Sequence, residues 1–65
     1  MKLTFLGKDT IGDGSPTLYA TDRDTYVVQG WQVTDPEALA HMDIPGHETC
    51  VEVPRALMTY VPRED

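Results

Sequence analysis

The sequence has a single cysteine, Cys50, and this scarcity limits how so short a chain can be stabilised. A chain of 65 residues buries only about 60% of the surface that its unfolded form exposes, so small domains usually depend on disulfides, a metal or a partner. One cysteine excludes a disulfide within the chain. A metal or a partner molecule therefore remains as the source of additional stability.

Basic residues are also scarce, with five Lys and Arg against eleven Asp and Glu, which gives a net charge of −6. No two of them are adjacent in the sequence. Nonspecific affinity for nucleic acid comes from Lys and Arg that neutralise phosphates, so direct binding to DNA or RNA is not expected. An acidic chain is better suited to a basic protein partner, which it attracts electrostatically.

Long apolar runs are missing as well. No segment approaches the ~20 apolar residues of a membrane helix, and the first residues lack the apolar region of a signal peptide. We therefore expect a protein of the cytoplasm that has no contact with the membrane. The lone Cys50 fits that reducing compartment.

The residues that are present predict one α+β domain over 1–65, with a small, mostly antiparallel sheet and two short helices. Apolar alternation and β-branched residues indicate the strands, while Gly, Pro and Asp mark the turns. Along the chain we expect a strand or extended arm over 1–6, a flexible loop over 7–16, a central hairpin of 17–21 and 25–33, a helix of about two turns ending before Ile44, a strand over 48–53, a helix over 54–61 and a frayed tail over 62–65.

The pattern also predicts the two faces of the second hairpin strand and the start of the helix that follows it. Within the predicted strand 25–33, alternation places Val27, Trp31 and Val33 on one face and Tyr26 and Val28 on the other. Gly30 indicates a bulge or a close approach by another segment. The following helix has two possible starts: Asp35 as N-cap with Pro36 at the first position, or a capping box formed by Thr34 and Glu37.

His41, His47 and Cys50, with Asp43 or Glu48, are the candidates for a metal site or an activated thiol. Their spacing differs from that of the paired ligands in structural zinc sites. The simpler interpretation is two exposed histidines and a small buried thiol. We expect no metal, no cofactor and no enzymatic activity, and keep a small metal- or thiol-dependent site at these residues as the alternative.

Other chemistries have weaker support. The aspartates at 9, 13, 22 and 24 lack the spacing of a calcium-binding EF-hand loop. The glycines at 7, 12 and 14 are not followed by the Lys-Ser or Lys-Thr pair of a phosphate-binding loop. An acidic mimic of nucleic acid would need its carboxylates on one face, whereas here they are spread through the turns.

Aromatic residues suggest an interaction surface, because so small a core has little room for the rings of Tyr19, Tyr26, Trp31 and Tyr60. Exposed Tyr and Trp are enriched where proteins meet. The alternative is that Trp31 anchors the core and the tyrosines are half-exposed packing. Self-association through the edge of 25–33, or through the second face of its sheet, would bury the surplus. The predicted partner-binding residues are Tyr19, Asp22, Asp24, Tyr26, Val28 and Trp31.

The segment Ser15 to Val33 (SPTLYATDRDTYVVQGWQV), followed by Asp35-Pro-Glu-Ala-Leu39 and Glu52-Val-Pro-Arg55, resembles a group of short uncharacterised proteins from high-GC actinobacteria. Such proteins are associated with regulatory loci that encode helix-turn-helix repressors and small acidic companions. The resemblance implies a regulatory accessory protein. It assigns no catalytic or binding residue.

Overall fold

A computed structural model describes residues 1–10 and 15–63 of the chain. It confirms the predicted α+β class, with strands in two small antiparallel sheets and two short helices. Residues 11–14 of the predicted loop and 64–65 of the predicted tail lie outside the described residues. The elements are β1 (Leu3–Lys8), β2 (Thr17–Thr21), β3 (Tyr26–Gln29), β4 (Trp31–Gln32), α1 (Pro36–Ala40), β5 (Val51–Glu52) and a 3₁₀ helix (Arg55–Tyr60).

The larger sheet has the order β1-β2-β3, with every pair antiparallel. The predicted hairpin turn after β2 is confirmed: the Thr21 amide donates to the Thr25 carbonyl at 3.0 Å, and the two threonine hydroxyls lie 2.6 Å apart. Asp24 has a φ of 59°, a left-handed conformation that Asp tolerates better than most residues. The acidic turn is therefore well formed and exposed.

β1 extends through Gly7 and Lys8, which the sequence analysis assigned to the flexible loop. Its register with β2 shifts between Phe5 and Gly7, as in a β-bulge. Ladder pairing of Gly7 with Leu18 and of Lys8 with Thr17 outweighs the poor strand propensity of glycine. The Asp9 amide then donates to the Pro16 carbonyl at 2.9 Å and holds the two ends of the connection together.

The 3₁₀ helix covers one face of this sheet. Leu57 of the helix and Leu18 of β2 are 0% and 1% exposed, and among the described residues they form the buried apolar core. A Cβ added at Gly7 would overlap the Tyr60 ring, so the absence of a side chain there lets the ring lie against β1. The core is thus one layer between the sheet and two turns of a 3₁₀ helix.

Gly30 divides the strand that was predicted over 25–33. β3 ends at Gln29, and β4 pairs with β5 in a separate sheet, Trp31 opposite Glu52. A Cβ at Gly30 would lie 2.6 Å from Val53 Cγ1 and 2.7 Å from the Glu52 carbonyl oxygen, so the close approach predicted for this glycine is confirmed. The prediction that Trp31 shares a sheet face with Val27 was wrong.

α1 is shorter than the predicted two turns and contributes no buried residue. Asp35 is the N-cap, and its Oδ1 accepts from the amides of Glu37 at 2.8 Å and Ala38 at 3.3 Å. The first of the two predicted starts is therefore correct. The predicted strand 48–53 is likewise reduced to Val51–Glu52.

The chain is expanded for its length. Its radius of gyration is 13.2 Å, compared with about 11 Å expected for a compact domain of this size. α1, β4 and β5 pack loosely beside the larger sheet, because few apolar side chains join the two parts. Much apolar surface therefore remains accessible.

Candidate functional site

The face of the larger sheet opposite the 3₁₀ helix carries an exposed apolar patch. Alternation and register place the same-side residues of three neighbouring strands together there. Phe5 and Leu3 on β1 are 59% and 49% exposed, and Tyr19 and Val27 are half-buried. We call Leu3, Phe5, Tyr19, Thr21 and Val27 the open face.

Phe5 and Tyr19 form the centre of the open face. They are directly opposite in the β1–β2 ladder, and their rings meet edge to face with centroids 6.3 Å apart and an interplanar angle of 77°. Such cross-strand aromatic pairs stabilise a sheet by roughly 0.2–1 kcal/mol. Phe5 thus contacts Tyr19 through one ring edge and leaves most of its surface exposed.

The open face has no carboxylate, although the chain has eleven acidic residues. Asp22 and Asp24 lie beyond one end of it, in the β2–β3 turn, and Lys8 lies at the opposite end, across from Thr17. Thr17 itself is shielded and donates its hydroxyl to the Ser15 carbonyl at 2.8 Å. The patch is therefore apolar in the middle and has charges of both signs at its two ends: Lys2 and Arg23 accompany the two aspartates, and Asp9 follows Lys8.

The structure does not bring the sequence-predicted binding residues together on one surface. Tyr19 lies on the open face, whereas Tyr26 and Val28 lie on the face that the 3₁₀ helix covers. Tyr26 is 49% exposed all the same, beside Pro62 and Asp24 in a shallow depression of about 240 Å³. Trp31 is half-buried in the smaller sheet, and Asp22 and Asp24 are exposed in the turn.

The contribution of β1 to an exposed apolar surface was not predicted from the sequence. Leu3 and Phe5 alternate with polar neighbours, which predicts an apolar face on this strand. Alternation alone does not show whether that face is buried in the core or exposed. The side of the sheet on which the 3₁₀ helix packs determines which face is exposed. Gly7 allows this packing, because a side chain there would overlap the Tyr60 ring. A glycine in a strand at the point of close packing was the available signal.

Cys50 lines an apolar cleft of about 530 Å³ between α1 and the smaller sheet. Ala38 and Met42 form one side of the cleft, and Val51 and Val53 the other. Asp35 and Glu52 are its acidic lining residues. This environment suits an apolar group near a free, half-buried thiol.

The two histidines lie outside this cleft. The His47 side chain is 82% exposed, and its Nε2 lies 3.9 Å from Glu48 Oε2, while His41 caps the end of α1. Over residues 1–10 and 15–63, no three His, Cys, Asp or Glu side chains are grouped as metal ligands would be. The structure thus does not bring His41, His47 and Cys50 together as a metal or thiol centre.

Comparisons with models of protein families, with curated proteins and with solved structures gave no match to this chain. The described part of the chain also has no helix of the length and apolarity that crossing a membrane requires. Function therefore has to be inferred from the open face, the acidic turn and the Cys50 cleft.

Proposed function

We propose that this chain is a protein–protein interaction module, a regulatory accessory protein that acts by binding through its open face and catalyses no reaction. The observation that carries the proposal is the carboxylate-free apolar patch around Phe5, which is 59% exposed on an otherwise acidic molecule. Exposed apolar patches with polar rims mark interaction sites on small soluble domains.

The small core supports the same proposal. Among the described residues, Leu18 and Leu57 are the buried hydrophobic side chains. Conformational entropy opposes folding by about 1–2 kcal/mol per residue, so a core of this size leaves a narrow margin of stability. Covering Leu3 and Phe5 with a partner would add apolar burial at about 25 cal/mol per Å².

The proposal places the chain in the cytoplasm, where a lone thiol such as Cys50 stays reduced. The net charge of −6 favours a basic regulator as the partner of the acidic regions, and a homodimer would bury the apolar ones. The resemblance to small acidic proteins of regulatory loci supports the same class of function.

Site-specific photocross-linking in cells tests the proposal. A photoreactive phenylalanine analogue replaces Phe5 in one variant and Tyr26 in a matched control, since both are exposed aromatics on edge strands of the same sheet but on opposite faces. We expect Phe5 to give adducts of defined mass with protein and Tyr26 to give few.

Two results would contradict the proposal in different ways. Adducts from Tyr26 alone would move the interaction to the face of the 3₁₀ helix and refute the open face as the binding site. Adducts from neither position, with a folded protein confirmed by circular dichroism, would refute the interaction function.

A further inference from the structure

We infer that the Cys50 cleft binds a short basic segment of a protein partner, which places an apolar side chain in the cleft and Lys or Arg side chains against the surrounding carboxylates. The inference rests on the proposed function, because it assigns the place where a basic regulator is held. It concerns a different surface from the open face, so the two surfaces can be tested separately.

The first support is the distribution of charge along the chain. Residues 33–53, which include all the residues that line the cleft, have five carboxylates and no Lys or Arg. The other parts of the chain have six carboxylates and five basic residues, so most of the net charge of −6 belongs to this segment. A locally acidic surface attracts a basic partner and disfavours an acidic one.

The carboxylates of this segment are accessible to a partner. All of them are exposed, and they belong to Asp35, Glu37, Asp43, Glu48 and Glu52. Over residues 1–10 and 15–63, none of them forms an ion pair with Lys or Arg. Arg55 is the basic residue nearest to the cleft in sequence, and neither it nor His41 or His47 lines the cleft. Their negative charge is therefore not compensated within the described part of the chain.

The second support is the apolar lining of the cleft. Met42 and Val51 lie on its two sides and are 41% and 39% exposed. The cleft volume of about 530 Å³ is within the range of roughly 300–1,000 Å³ that is usual for binding pockets. Protein partners commonly place an apolar anchor in such a pocket and charged groups at its rim. An apolar side chain in the cleft would remove Met42 and Val51 from water.

The third support is the position of the carboxylates relative to the cleft. Asp35 and Glu52 line it, whereas Glu37, Asp43 and Glu48 do not. A small cation held in the cleft would use the two lining carboxylates alone. The three outer carboxylates favour a longer ligand with several positive charges. A segment with one apolar residue among Lys and Arg has this composition.

Short acetylated and amidated peptides test the inference. The peptide KRLKR has both features, KRGKR lacks the apolar side chain, and EELEE has the opposite charge. Each peptide is titrated into the ¹⁵N-labelled full chain, and the alkylation of Cys50 by iodoacetamide is timed in parallel. We expect KRLKR to shift the amide signals of Cys50 and Val51 and, at saturation, to slow alkylation about threefold, because its leucine covers the thiol. EELEE should do neither, and KRGKR should leave the alkylation rate unchanged.

Substitutions in the chain locate the contact. Asp35→Asn combined with Glu52→Gln removes both lining charges, and Asn still caps α1. We expect the dissociation constant of KRLKR to rise about three- to tenfold in this variant. Asp22→Asn combined with Asp24→Asn is the matched control, since it removes two exposed charges outside residues 33–53. The control should change the constant less than about twofold, because distant exposed charges are screened by salt.

The outcomes separate the inference from the proposed function. Equal affinity for KRLKR and KRGKR, or an equal effect of the two double variants, would overturn the cleft as the binding site. Leucinamide, a small apolar cation, would overturn the basic segment if it bound as tightly as KRLKR. If no peptide binds while Phe5 gives adducts in cells, the cleft inference fails and the interaction function stands. If KRLKR binds as expected and neither photoprobe position gives adducts, the open face fails and the cleft stands.

Discussion

At the scale of the residue, Gly7 determines which face of the sheet is closed. The Tyr60 ring occupies the space that a Cβ at Gly7 would take. We expect Gly7→Ala to displace the ring and destabilise the fold by about 1–3 kcal/mol, the usual cost of overpacking. Urea denaturation measures the change. Gly46→Ala is the control, since a Cβ there meets nothing within 4 Å and should leave stability unchanged or slightly increased.

Asp35 is the second residue with a defined local role. Its Oδ1 accepts two amide hydrogen bonds at the start of α1, and the helix has no buried residue to stabilise it otherwise. We expect Asp35→Ala to cost about 1 kcal/mol and to increase amide hydrogen exchange at Glu37 and Ala38. Asp35→Ser should retain most of the protection. If exchange at Glu37 and Ala38 in Asp35→Ala were as slow as in the unmodified chain, the cap would be dispensable.

At the scale of the element, the sequence predicted those features that depend only on residues close together in the chain. The turn after β2 and the capped start at Asp35 follow from short-range hydrogen bonding and were predicted. β4 was not predicted as a strand separate from β3, because alternation continues through Gly30 and only the position of Val53 reveals the break. The open face escaped prediction for the same reason, since it depends on where the 3₁₀ helix docks.

Gly30 gives an element-scale prediction. A Cβ there would press on the Glu52 carbonyl and on Val53, so Gly30→Ala should separate β4 from β5 while the larger sheet persists. We expect faster hydrogen exchange at Trp31 and Gln32 and a shift of Trp31 emission to longer wavelength. Exchange at Leu18, in the larger sheet, serves as the internal control. Unchanged Trp31 emission would mean that β4 tolerates the added methyl group.

At the scale of the whole molecule, the small core means that the proposed association would also stabilise the fold. Leu3 and Phe5 of the open face are exposed to water, so their apolar surface adds nothing to the stability of the monomer. A ligand that binds only the native state stabilises it by mass action, and in the proposed homodimer a second copy is such a ligand. The melting temperature should therefore rise with protein concentration.

Tenfold more protein above the dissociation constant adds about 1.4 kcal/mol per mole of dimer, which corresponds to a rise of several degrees for a domain of this size. Differential scanning calorimetry over a hundredfold range of concentration measures it. In Phe5→Thr the melting temperature should rise less with protein concentration, because the ring is at the centre of the open face. In Tyr26→Thr the rise should be unchanged. A melting temperature that is independent of concentration in the unmodified chain would mean that Leu18 and Leu57 suffice to stabilise a monomer, and the open face would then have no role in stability.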